Sequence, residues 1–352
     1  MKRVLIAAGG TGGHFYPGLV AAQELKSRGW EPLLIVKKDD PAIPRLEKAG
    51  LACLEVDLGG MPRSLGPGLV AFAAKLLASM RLMSRVAKDF KPDLALGMGG
   101  YLTFPVAYAA WRRGVPIALH ESNAILGLAN KAAARFGARL FWGLPPAVGS
   151  GKVVGTPVRP ALYGRMDAGD ARRALGLDPA RKTILVFGGS QGAKAINLAV
   201  PAAMKAAGVD AQVLHLAGKG KSEETLAAYE AAGVTAKVID YLEDMAAAYA
   251  AADVVVCRSG ASTLAELAAQ RKTAILVPYP HAAANHQDAN ARVFERNGTA
   301  LRIPETDLYD DLGPRLADML KSGRVMGHDD FELPPADRTT ALFVDELEKL
   351  AS

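Results

Sequence analysis

The sequence predicts an α/β chain of two Rossmann-like domains in tandem, each a parallel sheet covered by helices on both faces. Three observations carry this. Short apolar runs alternate with Ala- and Leu-rich helical stretches, glycine-rich turns follow several of those runs, and the alternation restarts near residue 188. Continuous apolar strands between helices are the mark of a parallel sheet. A length of 352 residues suits about two domains. A closed barrel of βα units also fits that length, but the restart favours two domains.

Strands are expected at residues 4–8, 32–36, 94–97, 116–120 and 140–142, then at 183–187, 212–217, 236–239, 254–257 and 273–277. The first resembles a signal peptide, but its apolar run is short and breaks at Gly9-Gly10, so a buried strand fits better. Helices are expected at about 17–28, 69–90 and 105–113, from about 194, and at 339–350. Gly, Thr and two prolines interrupt the pattern at 153–165, VVGTPVRPALYGR, where the domain boundary is expected. This gives domains 1–157 and 158–335 and a terminal helix in 336–352 that packs back toward the N-terminal domain.

With 22% charged and 50% hydrophobic residues, the chain is neither disordered nor collagen-like. The net charge of +6 is uneven. Residues 1–157 hold 20 Lys and Arg against 10 Asp and Glu, whereas residues 158–352 hold 22 against 26. The basic half suits an anionic partner, be it nucleic acid, a membrane surface or a phosphorylated substrate; random scatter of surface charge is the plain alternative. Cys53 and Cys257 lie in apolar surroundings without metal-ligand spacing and are expected to be buried, in a reducing compartment. No apolar run approaches the roughly 18 residues of a membrane span, and the chain reads as soluble and cytoplasmic.

Gly9-Gly10-Thr11-Gly12-Gly13-His14 directly follows the first strand. Glycines let a ligand approach backbone N–H groups, and the next helix N-terminus attracts anions. The spacing departs from G-x-G-x-x-G, and the second strand ends in Val36-Lys37-Lys38-Asp39 without a well-placed acid, which disfavours a nicotinamide dinucleotide. Similar turns recur at Gly97-Met98-Gly99-Gly100-Tyr101 and Gly188-Gly189-Ser190-Gln191-Gly192-Ala193. In CRSGASTLAE, residues 257–266, Ser262 or Thr263 is expected to cap a helix whose N–H groups would hold a pyrophosphate. Glu266 either accepts from both hydroxyls of a ribose or closes a capping box with Thr263.

Together these motifs resemble those of the MurG family. The resemblance runs in order through GGTGGHFYPGLVAAQEL (9–25), LGMGGYLTFP (96–105), HESNAILGLANK (120–131), VVGTPVR (153–159), FGGSQGAKAIN (187–197), DVVVCRSGASTLAEL (253–267) and NHQDANA (285–291). It is loose beyond residue 303. It implies a GT-B glycosyltransferase, two Rossmann-like domains with parallel sheets facing a central cleft. The N-terminal domain would take the acceptor and face the membrane, and the C-terminal domain would bind UDP-GlcNAc. The implied reaction is inverting transfer of GlcNAc to the C4 hydroxyl of the MurNAc of undecaprenyl-pyrophosphoryl-MurNAc-pentapeptide (lipid I). The products are lipid II and UDP, in peptidoglycan synthesis and so in cell shape and division. The implied place is the anionic cytoplasmic face of the cell membrane, as a peripheral protein with cell-wall synthesis proteins as partners. No cofactor is implied.

Carried onto this sequence, Thr11, Gly12 and Gly13 match first-loop donor contacts. His14 matches the proposed general base, with Glu121 a competing carboxylate. Asn123 and Arg159 match donor contacts, Ser190 a diphosphate contact and Leu242 a backbone contact to uracil. Ala261, Ser262, Thr263, Leu264, Ala265 and Glu266 match the phosphate and ribose segment. Gln287 matches a contact to the sugar hydroxyls, but the alanine-rich loop 280–286 leaves the choice between His286 and Gln287 open. Histidine suits base catalysis because its ordinary pKa of about 6.5 lies near cytoplasmic pH. Helix N-termini can hold leaving-group charge, and the sequence has no Asp-x-Asp, so a metal-independent step is expected.

Residues 69–90 form an amphipathic pattern, with Leu69, Phe72, Leu76, Met80 and Met83 on one face and Arg81, Arg85 and Lys88 opposite. The apolar face suits packing on the domain's own sheet, while the cations suit anionic lipid at roughly 1 kcal/mol each. Tyr101 and Trp111 are placed on the same acceptor and membrane side. Three other readings are weighed. A UDP-GlcNAc 2-epimerase-like enzyme of the same architecture is disfavoured by GGTGGH, and a non-catalytic UDP-sugar binder by the paired loops. Nucleic-acid binding is disfavoured by the 6% aromatic content.

Overall fold

Side-chain alternation along buried strands places the helices on both faces of each sheet. The computed structural model describes residues 1–9, 12–62, 66–164, 166–189, 191–322 and 333–352. The chain divides into Met1–Arg159 with Leu333–Ser352, and Pro160–Glu332. In the first unit β1 (Arg3–Ala7), β2 (Glu31–Lys37), β3 (Ala52–Val56), β4 (Leu94–Gly97), β5 (Ile117–Glu121), β6 (Arg139–Trp142) and β7 (Lys152–Val153) form a parallel sheet ordered β3-β2-β1-β4-β5-β6-β7. Its helices are α1 (Gly12–Ser27), α2 (Ile43–Lys48), α3 (Pro67–Phe90), α4 (Thr103–Trp111) and α5 (Leu128–Ala133).

The second unit holds β8 (Thr183–Phe187), β9 (Gln212–Leu216), β10 (Ala236–Ile239), β11 (Val254–Cys257), β12 (Ala274–Leu276) and β13 (Ala300–Arg302), ordered β10-β9-β8-β11-β12-β13. Its helices are α6 (Ala168–Ala174), α7 (Lys194–Ala207), α8 (Ser222–Ala232), α9 (Met245–Ala251), α10 (Ala261–Ala269), α11 (His286–Arg296) and α12 (Leu308–Ser322). The chain then returns to the first unit with α13 (Ala336–Leu350).

Val4, Ile6, Leu34 and Leu96 face one core of the first unit, with Phe15 and Leu25 of α1 and Phe343 and Leu347 of α13. Leu5, Ala7, Ile35 and Ala95 face the other core, with Met83 of α3 and Val106 of α4. Charge also holds α13 in place: Arg28 donates to Asp345 at 2.6 Å and Glu348 at 2.9 Å, and Lys152 pairs with Glu346 at 2.6 Å. In the second unit Ile184, Val186, Val213 and Val256 pack under α7 and α12.

Three strands escaped the sequence pattern, for a common reason. β3, β7 and β13 lie at sheet edges or next to them, and all are short or part-exposed, so their apolar runs are interrupted. Cys53, expected to be buried, sits part-exposed on the edge strand β3; Cys257 is buried. α1 begins at Gly12 rather than Pro17. Gly12 and Gly13 adopt helical backbone, and Pro17 sits inside the helix at the loss of one backbone donor. No helix among the described residues is long and apolar enough to cross a membrane.

Candidate active site

Strand order reverses between β1 and β4 in one sheet and between β8 and β11 in the other. In open α/β sheets, ligands bind at the carboxyl ends of strands at such reversals. The loops after β1 and β4 flank the first. His14 lies in the first turn of α1, half-buried, and its ring rests on the turn after β4. A methyl group on Gly99 would stand 2.8 Å from His14 Cδ2 and Nε2, and one on Gly100 would stand 3.3 Å from Nδ1. Both glycines have left-handed φ, 100° and 76°, which other residues rarely adopt. Thr103 Oγ1 locks the turn, donating to Gly99 O at 3.0 Å and accepting from Gly99 N at 3.2 Å. Gly12 and Gly13 open α1 beside His14. Gly10, Thr11 and Ser190, and Arg165 of the expected boundary, lie outside the described residues. Arg159 sits 5.0 Å over the ring of Tyr16, on α1.

Glu121 ends β5 and is 4% exposed. Oε1 accepts from Asn123 N at 3.1 Å and Asn123 Nδ2 at 3.0 Å, and Oε2 from Gly127 N at 2.9 Å and Asn130 Nδ2 at 3.0 Å. A base needs an open lone pair facing its substrate. This carboxylate instead ties down the loop 122–130, which changes its expected role as a competitor for His14. Next to it, His120 Nε2 donates to Gly155 O at 2.9 Å, and its Nδ1 accepts from Ser122 Oγ at 3.3 Å. Burial pushes this imidazole below its ordinary range.

In the second unit, α7, α10 and α11 start beyond the ends of β8, β11 and β12, which are neighbours in the sheet. None of the three has a side-chain N-cap hydrogen bond. This corrects the expected capping of α10. Gly260 is the N-cap, in extended conformation, so Ser262 and Thr263 lie inside the helix and Thr263 cannot close a box with Glu266. The Ser262 hydroxyl is buried with no partner among the described residues. Uncapped N–H groups and the positive end of the helix dipole make such termini anion sites.

Ala261, Leu264 and Ala265 complete this segment, and Tyr249 donates to Glu266 Oε2 at 2.9 Å. Leu242 is half-buried in the connection between β10 and α9. His286 and Gln287 open α11. Gln287 Oε1 accepts from Tyr279 N at 2.9 Å, and His286 Nδ1 donates to Ala283 O at 2.8 Å. Among the described residues, the amide NH2 of Gln287 and Nε2 of His286 make no hydrogen bond.

On α3, Met83 is buried and Leu69, Phe72, Leu76 and Met80 are part-buried, the stripe packing inward. Arg81, Arg85 and Lys88 are exposed and make no ion pair among the described residues. The outward face also carries Val70 and Leu77, exposed 71% and 54%. Trp111, 50% exposed, stacks on Phe136 at 5.3 Å, and Tyr101 meets Phe72 edge-on at 5.7 Å. Sequence reasoning also missed Thr103, Asn130 and Tyr249, whose only signal was a polar residue inside an apolar element. Among the described residues no His, Cys, Asp and Glu side chains cluster as a metal would require.

Two doubly wound parallel sheets, each with a strand-order reversal, define the class as a two-domain α/β protein. Residues 4–142 match the glycosyltransferase family 28 N-terminal domain and residues 183–329 its C-terminal domain. A UDP-N-acetylglucosamine–N-acetylmuramyl-(pentapeptide) pyrophosphoryl-undecaprenol N-acetylglucosamine transferase of Elusimicrobium minutum is 37% identical, over 99% of this chain and 100% of its own. The like-named protein of Halorhodospira halophila is 42% identical, over 92% and 91%. The crystal structure of Acinetobacter baumannii MurG superposes with a TM-score of 0.80 at 29% identity, over 99% of this chain and 100% of its own. The chain therefore belongs to glycosyltransferase family 28 and, within it, to the MurG family.

Proposed function

We propose that this chain transfers GlcNAc from UDP-GlcNAc to the C4 hydroxyl of the MurNAc of undecaprenyl-pyrophosphoryl-MurNAc-pentapeptide, with inversion, giving lipid II and UDP. The observation that carries the residue roles is the seating of His14 on the Gly99–Gly100 turn at the reversal of the first sheet. In this reading His14 takes the proton of the acceptor hydroxyl as that oxygen attacks the anomeric carbon, and the bond from that carbon to the UDP oxygen breaks. Glu121 positions, through the loop that carries Asn123. The uncapped N-terminus of α10, with Ala261, Ser262 and Thr263, takes the diphosphate together with Ser190, and Thr11, Gly12 and Gly13 are donor contacts from the first loop. Glu266, oriented by Tyr249, accepts from the ribose hydroxyls, and the Leu242 backbone reads uracil. Arg159 adds positive charge, and Gln287 or His286 meets the sugar hydroxyls.

The decisive assay is UDP release from UDP-GlcNAc. It should depend on a lipid I analogue; acceptor-independent isomerisation would instead support the epimerase-like alternative. A lipid-linked acceptor also requires contact with the membrane. The exposed Val70, Leu77 and Trp111 beside Arg81, Arg85, Lys88, Arg112 and Arg113 support peripheral docking on its anionic cytoplasmic face. Co-sedimentation should strengthen with anionic lipid and weaken in Arg81→Glu/Arg85→Glu/Lys88→Glu, and equal binding to neutral vesicles would count against it.

A further inference from the structure

A buried hydrogen-bonded chain in the second unit takes no part in the reading above. His215, on β9, is fully buried. The Tyr229 hydroxyl, from α8, lies 2.9 Å from Nδ1, and Asn197 Oδ1, from α7, lies 3.0 Å from Nε2. Asn197 Nδ2 in turn donates to Ala217 O at 2.9 Å. A carbonyl can only accept, so the order of protons is settled: Tyr229 donates to His215, His215 to Asn197, and Asn197 to Ala217. Burial pushes the imidazole down to about 3 and the phenol well up, so both stay neutral.

The far end of this chain touches the third glycine-rich turn. A methyl group on Gly192 would stand 1.9 Å from Ala217 O, and one on Gly218 would stand 2.5 Å from Gly192 N. The turn after β8 therefore rests backbone on backbone against the turn after β9, and the carbonyl held by Asn197 is the contact atom. Other groups steady the same pair of turns. Lys221 Nζ donates to Gln191 O at 2.7 Å, and Asp240 accepts from Gly220 N at 2.8 Å and Ser222 N at 3.2 Å. Asn197 itself lies in the first turn of α7, whose N-terminus follows the glycine-rich turn and carries no side-chain cap.

We propose that Tyr229, His215 and Asn197 are positioning residues for the diphosphate of the nucleotide sugar. Through Ala217 they set where the glycine-rich turn stands relative to the N-terminus of α7. An apolar trio would fill this space without the desolvation of three polar groups; what the polar chain adds is one aimed carbonyl. The inference rests on the donor assignment made above.

The test uses the full-length protein, UDP titration calorimetry, steady-state kinetics and thermal melting. Asn197→Leu should weaken UDP binding and raise KM for UDP-GlcNAc by about tenfold, with kcat within about twofold, as the loss of an aimed hydrogen bond implies. Tyr229→Phe, the mildest change, should give the same split on a smaller scale. His215→Gln, which keeps a donor and an acceptor, should retain affinity that His215→Leu loses. A lowered melting temperature with unchanged UDP affinity in Asn197→Leu and Tyr229→Phe would overturn the proposal and leave a packing role only. Failure of the wild-type protein to bind UDP would overturn the donor assignment and the proposal with it.

Discussion

In the first unit the turn after β4 carries two left-handed glycines, and an imidazole lies on them. In the second unit the loop after β11 ends at Gly260 and opens a helix that no side chain caps. The strand on which each sheet reverses is the unit's first, β1 or β8. One topology thus presents a side chain that can take a proton at one reversal and bare backbone donors at the other. Only local residue choice separates them. Glycines at 99 and 100 make room for a ring, whereas Gly260 as N-cap leaves Ser262 without an acceptor of its own.

Substitutions can break this division of labour. His14→Ala should lower kcat by about 10²–10⁴-fold while leaving KM for UDP-GlcNAc within about twofold. Near-wild-type turnover in a folded variant would falsify the base assignment. Gly99→Ala, which both strains the turn and displaces the ring, should cost about 10²-fold in kcat; an unchanged rate would show that the ring does not need that seat. Glu266→Ala should act on the other unit, raising KM for UDP-GlcNAc by about 10–100-fold through loss of hydrogen bonds to a charged group. A pure kcat effect there would erase the contrast between the units.

A further effect concerns pH. His215 is held at about 3, against an ordinary value of 6.5. Between those values the unfolded chain binds more protons than the folded one. Stability is therefore complete above about pH 6.5 and falls as pH drops toward 3, by at most about 1.4 kcal/mol per unit. His120 is shifted in the same direction, by burial first. Melting curves from pH 7 to 4 should be flatter for His215→Gln than for the wild-type protein, and identical slopes would remove His215 as a source of acid sensitivity.

Much of the fold was legible because parallel strands buried on both faces are continuous apolar runs. The glycine-rich turns were legible because few residues tolerate their backbone. Edge strands such as β3 were not, since exposure interrupts the run. His14 could be singled out beside its glycines, but nothing near it in the chain identified Gly99 and Gly100 as its seat. Ser262 and Thr263 were read as caps because their residue types suit capping, yet the extended backbone at Gly260 took that position.

By itself, then, the sequence determined the two parallel sheets, the turns at their carboxyl ends and the family, because these follow from strand periodicity, glycine's backbone freedom and residue order. Tertiary structure alone decided who partners whom. It spent the Glu121 carboxylate on its own loop, set Tyr249 against Glu266, turned Val70 and Leu77 outward, and brought α13 back to Arg28 across 317 residues of chain. Such pairings depend on packing between elements, which no local pattern of residues encodes.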